Sequence, residues 1–105
     1  YKSDPDLQAM HAACPWLLTW DDHEVQNDYA GDDPGNSGPA IFNHAGRRAA
    51  AYQAYYEHMP LRAATLTRAI AGLHEGAELR IHTQHRFGRL ARLALLDTRQ
   101  YRSRQ

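Results

Sequence analysis

The run Trp16-Leu17-Leu18-Thr19-Trp20 passes without a break into Asp21-Asp22-His23-Glu24-Val25-Gln26-Asn27-Asp28, and this junction constrains the chain more than any other stretch. Two aromatics and a β-branched residue in a short apolar run predict a strand covered on both faces. The acidic segment then lies at the carboxyl end of a buried strand, where open α/β folds gather their ligand-binding loops. Adjacent carboxylates repel one another unless a cation or a hydrogen-bond donor offsets them.

The flanking elements follow from local signals. Asp4 before Pro5 reads as an N-cap with proline at the first helical position, and Leu7, Met10, His11 and Cys14 recur at helical spacing until Pro15 ends the helix. Cys14 is expected to be buried on that helix; as the single cysteine it excludes an internal disulfide. The sequence Gly31 to Gly38 is rich in turn formers and predicts an exposed loop. A second helix is predicted over Arg47–Met59, with Tyr52, Tyr55, Tyr56 and Met59 on one packing face and Pro60 as its stop. An alanine-rich segment follows at 63–71, and Gly72 and Gly76 bracket a turn. Leu79, Ile81 and Thr83 alternate with Arg80, His82 and Gln84, as in a strand with one wet face. Phe87-Gly88 marks a hairpin turn into a more apolar strand, Leu90–Leu96, with Asp97 at its end. The class is therefore α/β, with helices and strands in layers (α+β), and 105 residues suffice for one modest core.

Net charge at neutral pH is zero, yet residues 1–46 hold eight acids against Lys2 alone, while residues 47–105 hold eleven arginines against four acids. That division suits an anionic ester held near a cation, and it disfavours a nucleic-acid-binding module. No window reaches the roughly 20 apolar residues of a transmembrane segment, and no signal peptide is present.

Asp22, His23 and Asn27 offer carboxylate, imidazole and amide within six residues, a mixed donor set that suits iron, manganese, zinc or calcium. The residue types alone leave a plainer reading open, in which Asp21 or Asp22 caps a turn and His23 is merely exposed. His23-Glu24 begins like a zinc-protease helix, but Asn27 stands where the second histidine must be. Asp28 to Gly38 lacks the ligand spacing of a calcium-binding hand loop. A second cluster, Asp97-Thr98-Arg99-Gln100-Tyr101-Arg102, joins an acid to two arginines that could face a phosphate, with Asp97 either orienting an arginine or capping a turn. The histidines at 11, 44, 58, 74, 82 and 85 are scattered and read as structural or exposed.

Three ordered motifs carry a resemblance: Trp20-Asp21-Asp22-His23-Glu24-Val25 with Asn27-Asp28-Tyr29, the stretch Arg48 to Arg62, and Leu96-Asp97-Thr98-Arg99-Gln100-Tyr101-Arg102-Ser103. Together they resemble the PhoD-type alkaline phosphatase and phosphodiesterase family of the calcineurin-like metallophosphatases. The resemblance implies a four-layer α-β-β-α sandwich, hydrolysis of phosphate mono- and diesters with iron and calcium, and export to the periplasm, cell envelope or medium. It implies His23 as the catalytic acid beside the scissile ester and Asp22 and Asn27 as metal contacts. Asp21 and Glu24 would orient the loop, while Asp97, Arg99 and Arg102 would support the phosphate side.

The same resemblance implies that other ligands lie elsewhere: an upstream aspartate, tyrosine and cysteine, and a downstream aspartate and histidine. Cys14 lies in the wrong motif to replace that cysteine. Residues 1–105 are thus expected to be a partial catalytic domain that needs the remainder of that domain, and to be inactive alone. The alternative is an incomplete, noncatalytic module that packs or binds metal weakly.

Overall fold

The computed structural model describes residues 2–35, 42–62, 65 and 79–104. The alanine-rich segment at 63–71, apart from Thr65, and the Gly72–Gly76 turn lie outside the described residues. Helix α1 spans Pro5–Ala13, α2 spans His44–His58, β1 spans Thr83–Phe87 and β2 spans Ala91–Leu95. The described residues form a small α+β unit in which two helices accompany one antiparallel hairpin. No described helix is long and apolar enough to cross a membrane.

Helix α1 begins where the caps demand. Asp4 Oδ1 accepts the backbone N–H groups of Asp6 and Leu7 at 2.9 and 3.0 Å, which satisfies two donors that the helix itself leaves unpaired. Its packing departs from expectation, for no residue of α1 is buried and Cys14 is exposed. Helical spacing marks one face of α1, and it is only partly covered: Leu7 is half-buried and Trp16 stacks on His11 with ring centroids 4.1 Å apart, while Met10 and Cys14 stay exposed.

Helix α2 starts three residues earlier than expected because Asn43 caps it, its side chain accepting the Gly46 N–H at 2.9 Å. Arg48, Tyr52 and Tyr55 fall on its buried face. Tyr56 packs partly against the core, and Met59 stays at the margin.

The run Trp16–Trp20 forms no strand, which corrects the central expectation from the sequence. A strand needs a hydrogen-bonded neighbour, and the link found here is from the Thr19 hydroxyl to the Leu96 carbonyl at 3.0 Å. Trp16 and Leu17 are exposed, and Trp20 alone in the run is buried. The first strand is also displaced, pairing from Thr83 rather than Leu79. The alternation correctly marks Leu79 and Ile81 as buried, yet it reports burial and not pairing. The hairpin turns through Gly88, Arg89 and Leu90, with Phe87 opposite Ala91 and Gly88 at a φ of 56° that favours glycine. Strand β2 is apolar but largely exposed, since among the described residues no layer packs over Leu93.

The core joins Trp20, Val25, Tyr29, Tyr52, Tyr55, Leu79 and Ile81. Trp20 stacks on Tyr52 with ring centroids 4.2 Å apart and meets Tyr55 edge-on at 5.4 Å. Its indole N–H donates to Asp97 Oδ1 at 3.0 Å, and the Tyr29 and Tyr52 hydroxyls meet at 3.3 Å. The core therefore ties α2 to the acidic segment and to the turn that begins at Asp97.

Two outcomes follow. Trp20→Ala should cost about 3–5 kcal/mol in urea denaturation, as for other buried aromatic truncations. Burial pushes the phenols of Tyr52, Tyr55 and Tyr29 up, Tyr55 to about 12. Their unfolded forms ionise near 10, so this stabilisation is complete below about pH 10 and is lost as pH rises toward 12. An alkaline titration should show tyrosinate absorbance and Trp20 emission changing together in that interval, rather than tyrosine ionising first.

Candidate active site

The acidic segment is a turn pinned from below. Asp22 O accepts the N–H groups of Val25 and Gln26 at 2.9 and 2.8 Å, and Glu24 Oε2 accepts the Asp21 N–H at 2.9 Å. Trp20, Val25 and Tyr29 sink into the core, while Asp21, His23 and Glu24 remain exposed. Helix α2 fixes the outer side of the turn, with Arg47 Nε donating to Val25 O at 2.7 Å.

Asp22 is the buried acid of the group. Its Oδ2 accepts the Asp28 N–H at 2.8 Å, and its Oδ1 lies 3.5 Å from Arg99 Nη2. The Asp28 N–H, helped by Asp22's own N–H and by the charges of Arg99 and His23, holds the carboxyl below its usual value against the opposing effect of burial. The Asp28 N–H can aim at Asp22 while Asp28 itself takes a left-handed φ of 59°, a conformation that aspartate tolerates better than most residues. Gly35 backs this bend. A Cβ there would stand 2.7 Å from Asn27 O and 2.8 Å from Asp28 O, and Gly35 itself has φ of 79°. Of the segment 31–38, expected as an exposed loop, residues 31 and 33–35 are half-buried and Asp32 is exposed, with Ala30 and Asp33 bridged, while residues 36–38 lie outside the described residues.

His23 Nε2 lies 2.6 Å from Asn27 Oδ1, and Asn27 Nδ2 donates to Asp28 Oδ2 at 3.0 Å. The hydrogen bond to Asn27, then the negative charges of Asp22, Asp21 and Glu24, raise the imidazole above its usual value. An exposed imidazole that holds its proton more firmly is suited to deliver that proton to a leaving alkoxide.

The second cluster meets the first across the chain. Asp97 caps a turn, its Oδ1 accepting the N–H groups of Arg99 and Gln100 at 3.0 and 2.9 Å as well as the Trp20 indole. Its carboxylate is spent on this turn, so Arg99 turns instead to Asp21, with Nε 2.7 Å from Asp21 Oδ1. The N–H of Arg102 reaches Arg99 O at 3.3 Å, and among the described residues no ion pair joins Arg102 to the acidic turn. Gln100 and Arg48 were not anticipated. Gln100 meets Leu79 at both backbone groups, accepting at 3.0 Å and donating at 3.1 Å. Arg48 donates to Gly31 O at 2.7 Å and pairs with Asp32 at 2.9 Å. Its place four residues before Tyr52, on the buried stripe of α2, is the signal that could have revealed it.

The implied metals find no self-contained site. Among the described residues no three of His, Cys, Asp and Glu converge to hold an ion. Asn27 Oδ1 is engaged by His23, and both Asp22 oxygens face donors.

The sequence model of the PhoD-like phosphatase family matches residues 1–105. Alkaline phosphatase D of Bacillus subtilis (strain 168) is 50% identical over 105 residues, covering 100% of this chain and 17% of its own length. A solved structure described as "Structure of PhoD" superposes with a TM-score of 0.81 at 48% identity, over 99% of this chain and 18% of that one. The chain thus spans under a fifth of the relatives it matches.

Gly35→Ala should destabilise the protein by about 1–3 kcal/mol through clash and backbone strain. Hydrogen exchange is the check: the Asp28 amide should lose protection before the core amides of α2 do.

Proposed function

This chain belongs to the PhoD-like phosphatase family, and on that premise we propose that it is part of a catalytic domain that hydrolyses phosphate mono- and diesters. In this reading Asp21 to Asp28 is its active-site segment. The observation that carries the proposal is His23, exposed at the tip of a rigidly supported acidic turn and hydrogen-bonded to Asn27 at 2.6 Å. Family membership also supports export and a four-layer sandwich completed by the remainder of the domain.

Each residue has a role derived from its surroundings. His23 holds a proton and passes it to the departing alkoxide. Asn27 steers the ring by engaging Nε2, and the carboxylates of Asp21, Asp22 and Glu24 favour the charged imidazole before transfer. Glu24 fixes the start of the turn through the Asp21 N–H. Asp97 sets the turn that delivers Arg99. Iron and calcium, as the resemblance implies, would activate water and neutralise phosphate charge. The donors described here are already engaged with one another, so no step is drawn through a metal. That same mutual satisfaction favours the second reading, a noncatalytic module whose acidic turn only packs.

Turnover by a full-length parent carrying this segment, with and without His23→Ala, tests the two readings. In that parent, His23→Ala should lower turnover of a chromogenic phosphodiester by about 10²- to 10⁴-fold with an unchanged circular dichroism spectrum. Wild-type turnover in the variant would overturn His23 as the acid, whereas absence of turnover in the unsubstituted parent would leave only the noncatalytic reading.

A further inference from the structure

Resting on the phosphatase reading above, we propose that Arg99 is a positioning residue of the site, bridging Asp21 and Asp22 so that the turn presenting His23 keeps one arrangement. The alternative role, a fork that grips the substrate phosphate, fits the geometry less well. Nε is committed to Asp21 at 2.7 Å and Nη2 faces Asp22 at 3.5 Å. Among the described residues Nη1 is sealed from solvent and has no hydrogen-bond partner. Two of the three nitrogens thus face protein carboxylates, and the third is covered by described residues rather than open to solvent.

The direction of the constraint runs from arginine to acid. The Arg99 side chain is 11% exposed, whereas that of Asp21 is 70% exposed. The backbone of Arg99 is fixed on both sides, its N–H by Asp97 Oδ1 at 3.0 Å and its carbonyl by the Gly31 N–H at 2.9 Å. A buried cation anchored in this way can organise two neighbouring carboxylates that would otherwise repel. A sealed N–H without a partner costs free energy, so Arg99 is held at a net local expense that its bridge must offset. The bridge also joins segments 78 residues apart, carrying the rigidity of the Asp97 turn into the acidic turn.

Arg99→Met, Arg99→Lys, Asp21→Asn and the Arg99→Met/Asp21→Asn double variant test this in the protein. With a chromogenic phosphodiester, Arg99→Met should lower kcat by about 10- to 100-fold, the scale of supporting-residue losses, while KM stays within about twofold. Arg99→Lys should recover part of the loss, and the double variant should be no worse than Arg99→Met alone. A raised KM at unchanged kcat would assign Arg99 to the phosphate and overturn the proposal, as would additive losses in the double variant. Urea denaturation of the wild type, Arg99→Met, Asp21→Asn and the double variant reads the Arg99–Asp21 coupling without reference to activity. Absence of coupling sinks the bridge, and coupling with unchanged kcat makes it structural only, which also overturns the proposal. Failure of the phosphatase reading looks different: the unsubstituted full-length parent then shows no phosphodiester turnover, while the coupling persists. Should Arg99→Met not fold, Arg99→Lys against Asp21→Asn supplies the same kcat and KM comparison.

Discussion

Trp20 is the residue on which the other contacts depend. Its ring lies flat on Tyr52, and its indole N–H finds Asp97, 77 residues away in sequence. A buried indole needs both an apolar bed and an acceptor for its N–H, and here the two come from different parts of the chain. The stack fixes α2 against the start of the acidic turn. The hydrogen bond fixes the turn from Asp97 against the same ring, and that turn carries Arg99 and Gln100 into place.

The acidic turn is stable because its charges and dipoles answer one another locally. Asp22 takes the Asp28 N–H, Asp21 takes Arg99, Glu24 takes the Asp21 N–H, and Asn27 takes His23. Two backbone positions make this arrangement feasible: Asp28 in a left-handed conformation and Gly35 pressed against its carbonyl. The result is a rigid platform with one exposed imidazole. Rigidity on the protein side and exposure on the solvent side are what proton delivery to a bound ester requires.

Much of the local structure was legible. The Asp4-Pro5 cap, the tyrosine stripe of α2 and the Phe87-Gly88 turn each follow from chemistry among neighbouring residues, and each appears in the structure. Trp16–Trp20 was misread because an apolar run announces burial, whereas a strand requires a partner edge; only Trp20 found an enclosing surface. The displaced start of β1 has the same origin, since alternation at Leu79 and Ile81 encodes which side is covered, not where the ladder begins. Cys14 was expected to be buried, but the cover on that helical face reaches only Leu7 and His11 and leaves Cys14 exposed. At the candidate site, the crowding of Asp21 to Asp28 marked a segment that folds as one locally hydrogen-bonded turn. The plainer reading of Asp97 as a turn cap also proved correct.

From sequence alone came the Asp4 cap of α1, the turn residues, the stripe on α2, the composition of the acidic segment and the family resemblance. These properties reside in residue types at short spacing, where propensity, sterics and hydrogen bonding among neighbours act. The tertiary structure alone decided that Arg99 pairs with Asp21 rather than Asp97, that Gln100 clasps Leu79, and that Arg48 is buried against Gly31. Those choices depend on which distant groups the folded backbone brings within hydrogen-bonding reach, about 3 Å for such contacts. Several acceptors of equal chemical merit compete for each arginine in the sequence, and only the closure of the core around Trp20 selects among them.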